Sequence, residues 1–422
     1  LLEQVRGRLD AASGGWRSSL EYWKTWAEPW LGHDPRPVAR IFRRTPVHIG
    51  ADESVAELNA AQKLAYLWYF TGEKRYGGKA TEFLRAWGRT LRAVRGAGFN
   101  LQCGFIVPPA VDAAEILRTG YEEWTPEIDR QFIDLCRYVF LPNVINFRVT
   151  TNGNHDCASN AALMAIAVLL DDQFLFCRGL NYFLYGKSYG SIAGYFLPSG
   201  ESQEDGRDMH HVNQGAAFFS QIAAIAWNQG VNLYDRYDFR LAAGLEHIAA
   251  VLQDLGGPAA YSPGHPSPIQ SDQPLSVDVE APMGTTVTAG VHRFAGDTCQ
   301  LKAYQYYRNR VGLPMPRFKA LLSVFHEVSN VYGAGLDRLH QIFTNQPVLP
   351  EPGVTPPSED AADGGVLPTP TMEDRMPTPV APARFRFGVV PFDGGRLDDA
   401  RYAALQTVLE KAAGRPVDIV YV

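Results

Sequence analysis

A chain of 422 residues can hold two or three domains or one large one, and 46% hydrophobic with 20% charged residues is ordinary for a globular protein. The formal net charge of −6 supplies no global basic field, which argues against a general nucleic-acid binder; a local cluster of Arg, His and Lys can still oppose that sign. No apolar run is long enough for a membrane span.

Helix signals dominate up to about residue 345. Ser54 and Glu57 read as a capping box ahead of the stripe Val55, Leu58, Ala61, Leu64 and Leu67. Ala80–Val94 repeats the pattern through Phe83, Leu84, Trp87 and Leu91. Thr125-Pro126 predicts an N-cap with Pro at the first helical position, opening Ile128–Phe140. Asn160–Leu170 is almost wholly apolar, as in a helix buried on most sides. Phe174–Tyr185, His211–Asn228 and Asp235–Leu252 complete a succession of helices without intervening strands, which suggests helical hairpins closing into an incomplete α/α toroid or another helical array.

The six prolines from Pro258 to Pro282 make Gly257–Gly284 a long loop, either a cleft wall or a surface excursion. Helical signal returns over Ala295–Arg310 and Arg317–Val331. Residues 346–383, rich in Pro, Gly, Asp and Glu, read as a disordered linker between a helical domain at 1–345 and a short βαβ fragment at 384–422. In that fragment Phe385–Pro391 and Pro416–Val422 are the strand patterns and Leu397–Ala413 the helix. Two strands and one helix cannot bury a useful core, so the native polypeptide is expected to continue past Val422. The start at Leu1, with no charged-then-apolar leader, suits a mature form, a trimmed chain or a fragment. Five cysteines (Cys103, Cys136, Cys157, Cys177 and Cys299) lack metal-knuckle or redox-pair spacing; buried thiols are the default reading, a disulfide the alternative.

Two runs concentrate chemistry. Thr151-Asn152-Gly153-Asn154-His155 precedes an apolar helix, and Gly206-Arg207-Asp208-Met209-His210-His211 precedes another. An amide beside an imidazole suits elimination from a uronic acid. The C5 proton is poorly acidic until the neighbouring carboxylate is neutralised, which Asn154 or the guanidinium of Arg207 can do by hydrogen bonding. His155 then serves as the base. The simpler alternative makes Asn154 a helix cap and His155 a first-turn residue. His211 follows Arg207 by one helical turn and can share its face, whereas His210 points away and is a neighbour in the substrate region. Gln203 and Glu204 are candidate substrate contacts in the same acid-rich run. Such chemistry requires no metal or organic cofactor. A second class, hydrolysis by two of the carboxyls between Glu201 and Asp208, needs them on opposite sides of a sugar bond; a third is a non-catalytic module that binds acidic polysaccharide.

Asn152–Asp172, Pro198–Asp208 and Ile225–Tyr234, with Gly206-Arg207-Asp208 and Ala226-Trp227-Asn228-Gln229-Gly230-Val231 in that order, resemble the alginate lyase family of polysaccharide lyases; the similarity extends more loosely over residues 54–316. The resemblance implies an α/α toroid with its cleft on the loop-bearing face, an acidic polysaccharide as substrate, and a periplasmic or secreted location. It also implies a tyrosine about two turns after the Arg as general acid, where this chain has Asn213 and Gln214. Tyr304 is the favoured replacement, with Tyr307 as a substrate contact and Tyr189 and Tyr195 as other candidates. Residues 384–422 resemble the opening of periplasmic phosphate- or phosphonate-type binding proteins, without a ligand motif.

Overall fold

The computed structural model describes residues 15–44, 47–148, 153–186, 189–204, 209–254, 298–321, 385–389 and 417–421. The chain divides into two compact units, Leu1–Pro357 and Ser358–Val422.

In the first unit the order is α1 (Gly15–Leu31), β1 (Arg40–Phe42), α2 (Ala51–Thr71), α3 (Lys74–Thr90), β2 (Ala93–Arg95) and α4 (Phe99–Arg118). Next come α5 (Pro126–Asp134), running into a π-helical stretch at Leu135–Phe140, then the short α6 (Leu141–Val144) and α7 (Gly153–Leu169). They are followed by α8 (Gln173–Tyr185), the single turn α9 (Ile192–Tyr195), α10 (Met209–Asn228), α11 (Arg236–Asp254) and α12 (Thr298–Gln305). A second π-helical stretch, Tyr306–Val311, continues α12. β1 and β2 pair in parallel with Ile41 opposite Val94.

Helices α2, α4, α7, α10 and α12 are each packed against the next in that order, with α3, α8 and α11 flanking α2, α7 and α10. This is an incomplete α/α toroid with an inner row and an outer row. Apolar side chains dictate it: α7 carries Ala161, Ala162, Leu163, Met164, Ile166 and Ala167, all buried. Its Leu163 and Ile166 join a core with Phe83, Trp87 and Ile106, while its Ala161 and Met164 join a second core with Phe183, Phe219 and Leu245. A helix apolar on every side must sit between two layers. Each large side chain so buried contributes about 1.5–3 kcal/mol.

One local expectation is met: Thr125 Oγ1 accepts from Ile128 N at 3.4 Å with Pro126 at the first helical position. Asp172, not anticipated as a cap, accepts from Leu175 N at 3.0 Å at the start of α8. Others need correction. The helix expected to open on a Ser54–Glu57 capping box begins at Ala51, so both residues lie inside it. Ser54 Oγ donates to Ala51 O instead. Glu57 is buried and accepts from Trp87 Nε1 (2.6 Å) and Arg36 N (2.8 Å), with His33 Nε2 at 3.0 Å. It ties α2 to α3 and to the segment after α1. The helix expected over Ala80–Val94 runs over Lys74–Thr90, and Val94 belongs to β2.

Helix α4 lies where no helix was expected, because Pro108 and Pro109 interrupt it. Pro109 lacks the N–H that would reach Phe105 O, and Asn59 Nδ2 of α2 donates to that oxygen at 3.3 Å. At the start of α11, Tyr237, Asp238 and Phe239 adopt left-handed φ values of 52°, 56° and 58°. The long loop at 257–284, the linker at 346–383 and the helix expected at 397–413 lie outside the described residues. So does helix 317–331 beyond its first turn, which Glu246 of α11 caps by accepting from Phe318 N at 2.9 Å and Arg317 N at 3.2 Å.

In the second unit, β3 (Phe385–Val389) and β4 (Val417–Tyr421) pair in parallel, with Phe387 opposite Ile419. A parallel pair requires a crossover between its strands.

Cys103, Cys136 and Cys157 are free, buried thiols. Burial pushes the Cys103 thiol up to about 12, so it stays protonated and unreactive. A disulfide reagent applied to the native protein should therefore leave Cys103, Cys136 and Cys157 unmodified until denaturant is added. Glu57→Ala should lower the unfolding free energy by on the order of 3 kcal/mol, read by urea titration, because it strands the Trp87 and Arg36 donors without an acceptor.

Candidate active site

The N-termini of the inner helices meet at one rim, and amide side chains near their starts join them. Gln102 of α4 donates from Nε2 to Ala51 O and Ser54 Oγ of α2, both at 2.9 Å. Asn100 of α4 faces His155 of α7, with Asn100 Oδ1 3.0 Å from His155 Nδ1. Asn154 of α7 donates from Nδ2 to Gln214 Oε1 of α10 at 3.1 Å. Gln300 of α12 donates to Asn213 Oδ1 of α10 at 2.8 Å. Arg43, in the turn after β1, donates from Nη1 to Gln102 Oε1 at 3.0 Å.

This belt exists because amide side chains near the starts of the inner helices, Asn100, Gln102, Asn154, Asn213 and Gln300, are buried between those helices. Buried amides must find partners, and these find them on the adjacent helix, as amides, a hydroxyl, an imidazole or a main-chain oxygen. The geometry sets five helix N-termini side by side. Each carries about half a positive elementary charge from its main-chain dipoles, a field suited to an anion.

Asn154 and His155 open α7 as neighbours. Asn154 is 1% exposed, and its buried Oδ1 has no partner among the described residues. His155 is half-buried. Beneath them, Tyr195 of α9 directs its hydroxyl to Glu204 Oε2 at 2.9 Å and lies 3.2 Å from His211 O. Burial, with Glu204 beside it, raises the Tyr195 phenol well above its ordinary range, so it stays protonated and donates. Gly215 makes room for that hydroxyl: a Cβ there would lie 2.1 Å from it.

The expected site residues fall into distinct groups. Asn154 and His155 are brought together with Gln214 and Asn100. His211 is 4% exposed, two residues before the Asn213–Gln214 link. Arg207 and the side chain of His210 lie outside the described residues. Glu204, expected to contact substrate, is 1% exposed and accepts the Tyr195 hydroxyl, so it braces the site from within. Gln203 is fully buried, and neither of its side-chain amide atoms has a partner among the described residues.

Tyr307, the other expected contact, is fully buried and donates to Tyr234 O at 2.9 Å, which leaves no surface for a sugar. Tyr304 lies one turn beyond Gln300 on α12, packs on Phe318 with ring centroids 5.5 Å apart, and has its phenol raised by burial. Asn100 and Gln102 were not anticipated as site residues. Their signal is faint: two amides in the apolar run Phe99–Val107.

Glu201 and Glu204 are the carboxyls of the 201–208 run among the described residues, and Glu204 is committed to Tyr195. No cluster of three His, Cys, Asp or Glu side chains is gathered as for a metal ion among the described residues. Among those residues, too, no helix is long and apolar enough to cross a membrane.

A family model described as alginate lyase matches residues 43–255. No curated protein matches this chain. Among solved structures, alginate lyase A1-III from Sphingomonas species A1 is 14% identical, over 60% of this chain and 77% of that one, with a TM-score of 0.48. A tyrosine-to-phenylalanine variant of alginate lyase A1-III complexed with a tetrasaccharide is 15% identical, over 74% of this chain and 87% of that one, with a TM-score of 0.50. The latter likeness is one of fold.

Gly215→Ala should force Tyr195 off Glu204 and cost about 1–3 kcal/mol of stability by overpacking. A urea titration checks this, and an unchanged midpoint would show that Tyr195 can move without loss.

Proposed function

The chain belongs to the alginate lyase family and is a polysaccharide lyase, and we propose that it cleaves a 4-linked polyuronate by β-elimination with His155 as the base. The observation that carries this is the Asn154–His155 pair in the first turn of α7, held by amides from both neighbouring inner helices at a rim of converging helix N-termini.

In the proposed step the substrate carboxylate is neutralised by hydrogen bonds from the amide of Asn154 and the guanidinium of Arg207. Asn154 Nδ2 has two N–H groups, one of which is committed to Gln214. Because Asn154 is 1% exposed, its role requires the groups covering it to part as the sugar seats. His155 removes the proton on C5, the C5–H electron pair becomes the C4–C5 double bond, and the bond from C4 to the bridging oxygen breaks. The leaving oxygen takes a proton from Tyr304, which burial keeps protonated. His211, beside Arg207 in sequence, completes the group that faces the carboxylate. Family membership supports an exported protein, periplasmic or secreted, acting without a cofactor on an alginate- or glucuronan-type chain.

The decisive experiment incubates the purified protein with mannuronan, guluronan and glucuronan and follows ultraviolet absorbance together with reducing ends. Elimination raises both, since it alone creates a conjugated unsaturated uronate. Reducing ends without absorbance would establish hydrolysis instead, and neither signal would leave a binding module.

His155→Ala should lower turnover by about 10²–10⁴-fold with folding preserved, the range typical of a positioned base. Activity of the native enzyme should fall in acid as the imidazole protonates. Near-native turnover of the variant would remove His155 from the mechanism. Tyr304→Phe is the parallel test: unchanged turnover would transfer the donor role away from Tyr304.

A further inference from the structure

We propose that Asn100 is a positioning residue that sets the tautomer of His155, placing the imidazole hydrogen on Nδ1 and the basic lone pair on Nε2. The inference deepens the reading of His155 as the base and rests on it.

Asn100 is the second residue of α4 and 1% exposed. It meets His155 twice. Its Nδ2 lies 3.4 Å from the main-chain oxygen of His155, and its Oδ1 lies 3.0 Å from His155 Nδ1. A carbonyl oxygen only accepts, so the first contact must use the NH₂ side of the amide. That assigns the amide orientation and turns Oδ1 toward the ring. An amide oxygen also only accepts, so the hydrogen between Oδ1 and the ring belongs to Nδ1. In water a neutral imidazole samples both tautomers; here one of them leaves two acceptors facing each other and is disfavoured.

The amide is held firmly. One turn further along α4, Gly104 lies so close to α7 that a Cβ would sit 2.6 Å from the Ala158 Cβ and 3.0 Å from Ala158 Cα. That approach brings the two first turns within hydrogen-bond reach. Two residues after Asn100, Gln102 anchors the same turn of α4 to α2. Asn100 therefore has little freedom to follow a ring that turns away.

A neutral amide at this place has a further effect. A carboxylate would fix the same tautomer but would stabilise the imidazolium and hold the ring protonated to higher pH. Asn100 orients the ring without that charge. Among the described residues, the charged and titratable groups about the N-terminal end of α7 include Arg148, Asp156, Tyr182, Cys157, Glu204 and His211. Arg148 lies over the Phe99 ring, and Asp156 accepts from Arg148 N and from the Tyr182 hydroxyl. The Cys157 thiol is near Glu204, and His211 opens α10.

The test uses the full chain and three measurements. Nitrogen-15 NMR of the imidazole, assigned by its loss in His155→Ala, should report hydrogen on Nδ1 at a pH where the ring is neutral. Asn100→Leu should lose that preference and lower kcat by roughly 10–100-fold, the usual cost of losing a partner that fixes a histidine tautomer, with KM little changed. Asn100→Asp should restore the tautomer and the plateau rate, but move the acid limb of the kcat profile upward by about 1 pH unit or more.

An Nε2-protonated ring in the native protein would overturn the proposal. So would a folded Asn100→Leu enzyme with native kcat, or an Asn100→Asp enzyme with an unmoved acid limb. If Asn100→Leu fails to fold, the NMR signal and the Asp variant decide alone. Because the tautomer is read without turnover, it separates failure of this proposal from failure of His155 as the base, which His155→Ala tests.

Discussion

Five inner helices present their N-termini to one rim, and this arrangement is unfavourable in isolation. It gathers like partial charges and leaves main-chain N–H groups at each end without intrahelical partners. Hydrogen bonds made by side-chain amides near the starts of adjacent helices hold it together. Gln102, Asn100, Asn154, Gln214, Asn213 and Gln300 form successive links from α2 to α12. Such bonds gain strength where solvent is excluded, and each partner left single would cost more than a typical bond contributes. The belt is thus cooperative, and the site residues are members of it.

Helix α7 connects the belt to the rest of the molecule. Its sides enter two separate cores, and its first turn carries the Asn154–His155 pair. A helix packed so tightly fixes its first turn to within the tolerance that proton transfer needs. The same logic applies to α4, where the two prolines break the main-chain ladder and Asn59 restores an acceptor's partner. Tertiary contacts there replace what local sequence removed.

How much of this was legible in the sequence varied with the range of the interaction. Caps and apolar stripes are local, so Thr125-Pro126, the almost wholly apolar Asn160–Leu170 and the helices expected over 174–185, 211–228 and 235–252 were read correctly. Glu57 was misread because its position suits a capping box, whereas its carboxylate is taken by Trp87 of another helix. Helix α4 was hidden by Pro108-Pro109, whose penalty is offset by a residue nearly fifty positions earlier. The Asn154–His155 pair stood out because its members are adjacent. Asn100 could not, since nothing local links it to His155, 55 positions away. Tyr307 was misplaced because an aromatic cluster looks the same in sequence whether it lines a cleft or fills a core.

The belt has a consequence for how the rim responds to its surroundings. Amides and main-chain dipoles neither gain nor lose protons over the range in which proteins stay folded. The positive potential of the converging helix ends is therefore a permanent property of the backbone, unlike one built from histidines. Acidity can alter what a histidine base does there, but not the field in which it acts. Dissolved salt can alter it, because mobile ions screen charges beyond about 8 Å at physiological ionic strength. Capture of an anion at this rim would then be governed by ionic strength, and what happens to it afterwards by pH.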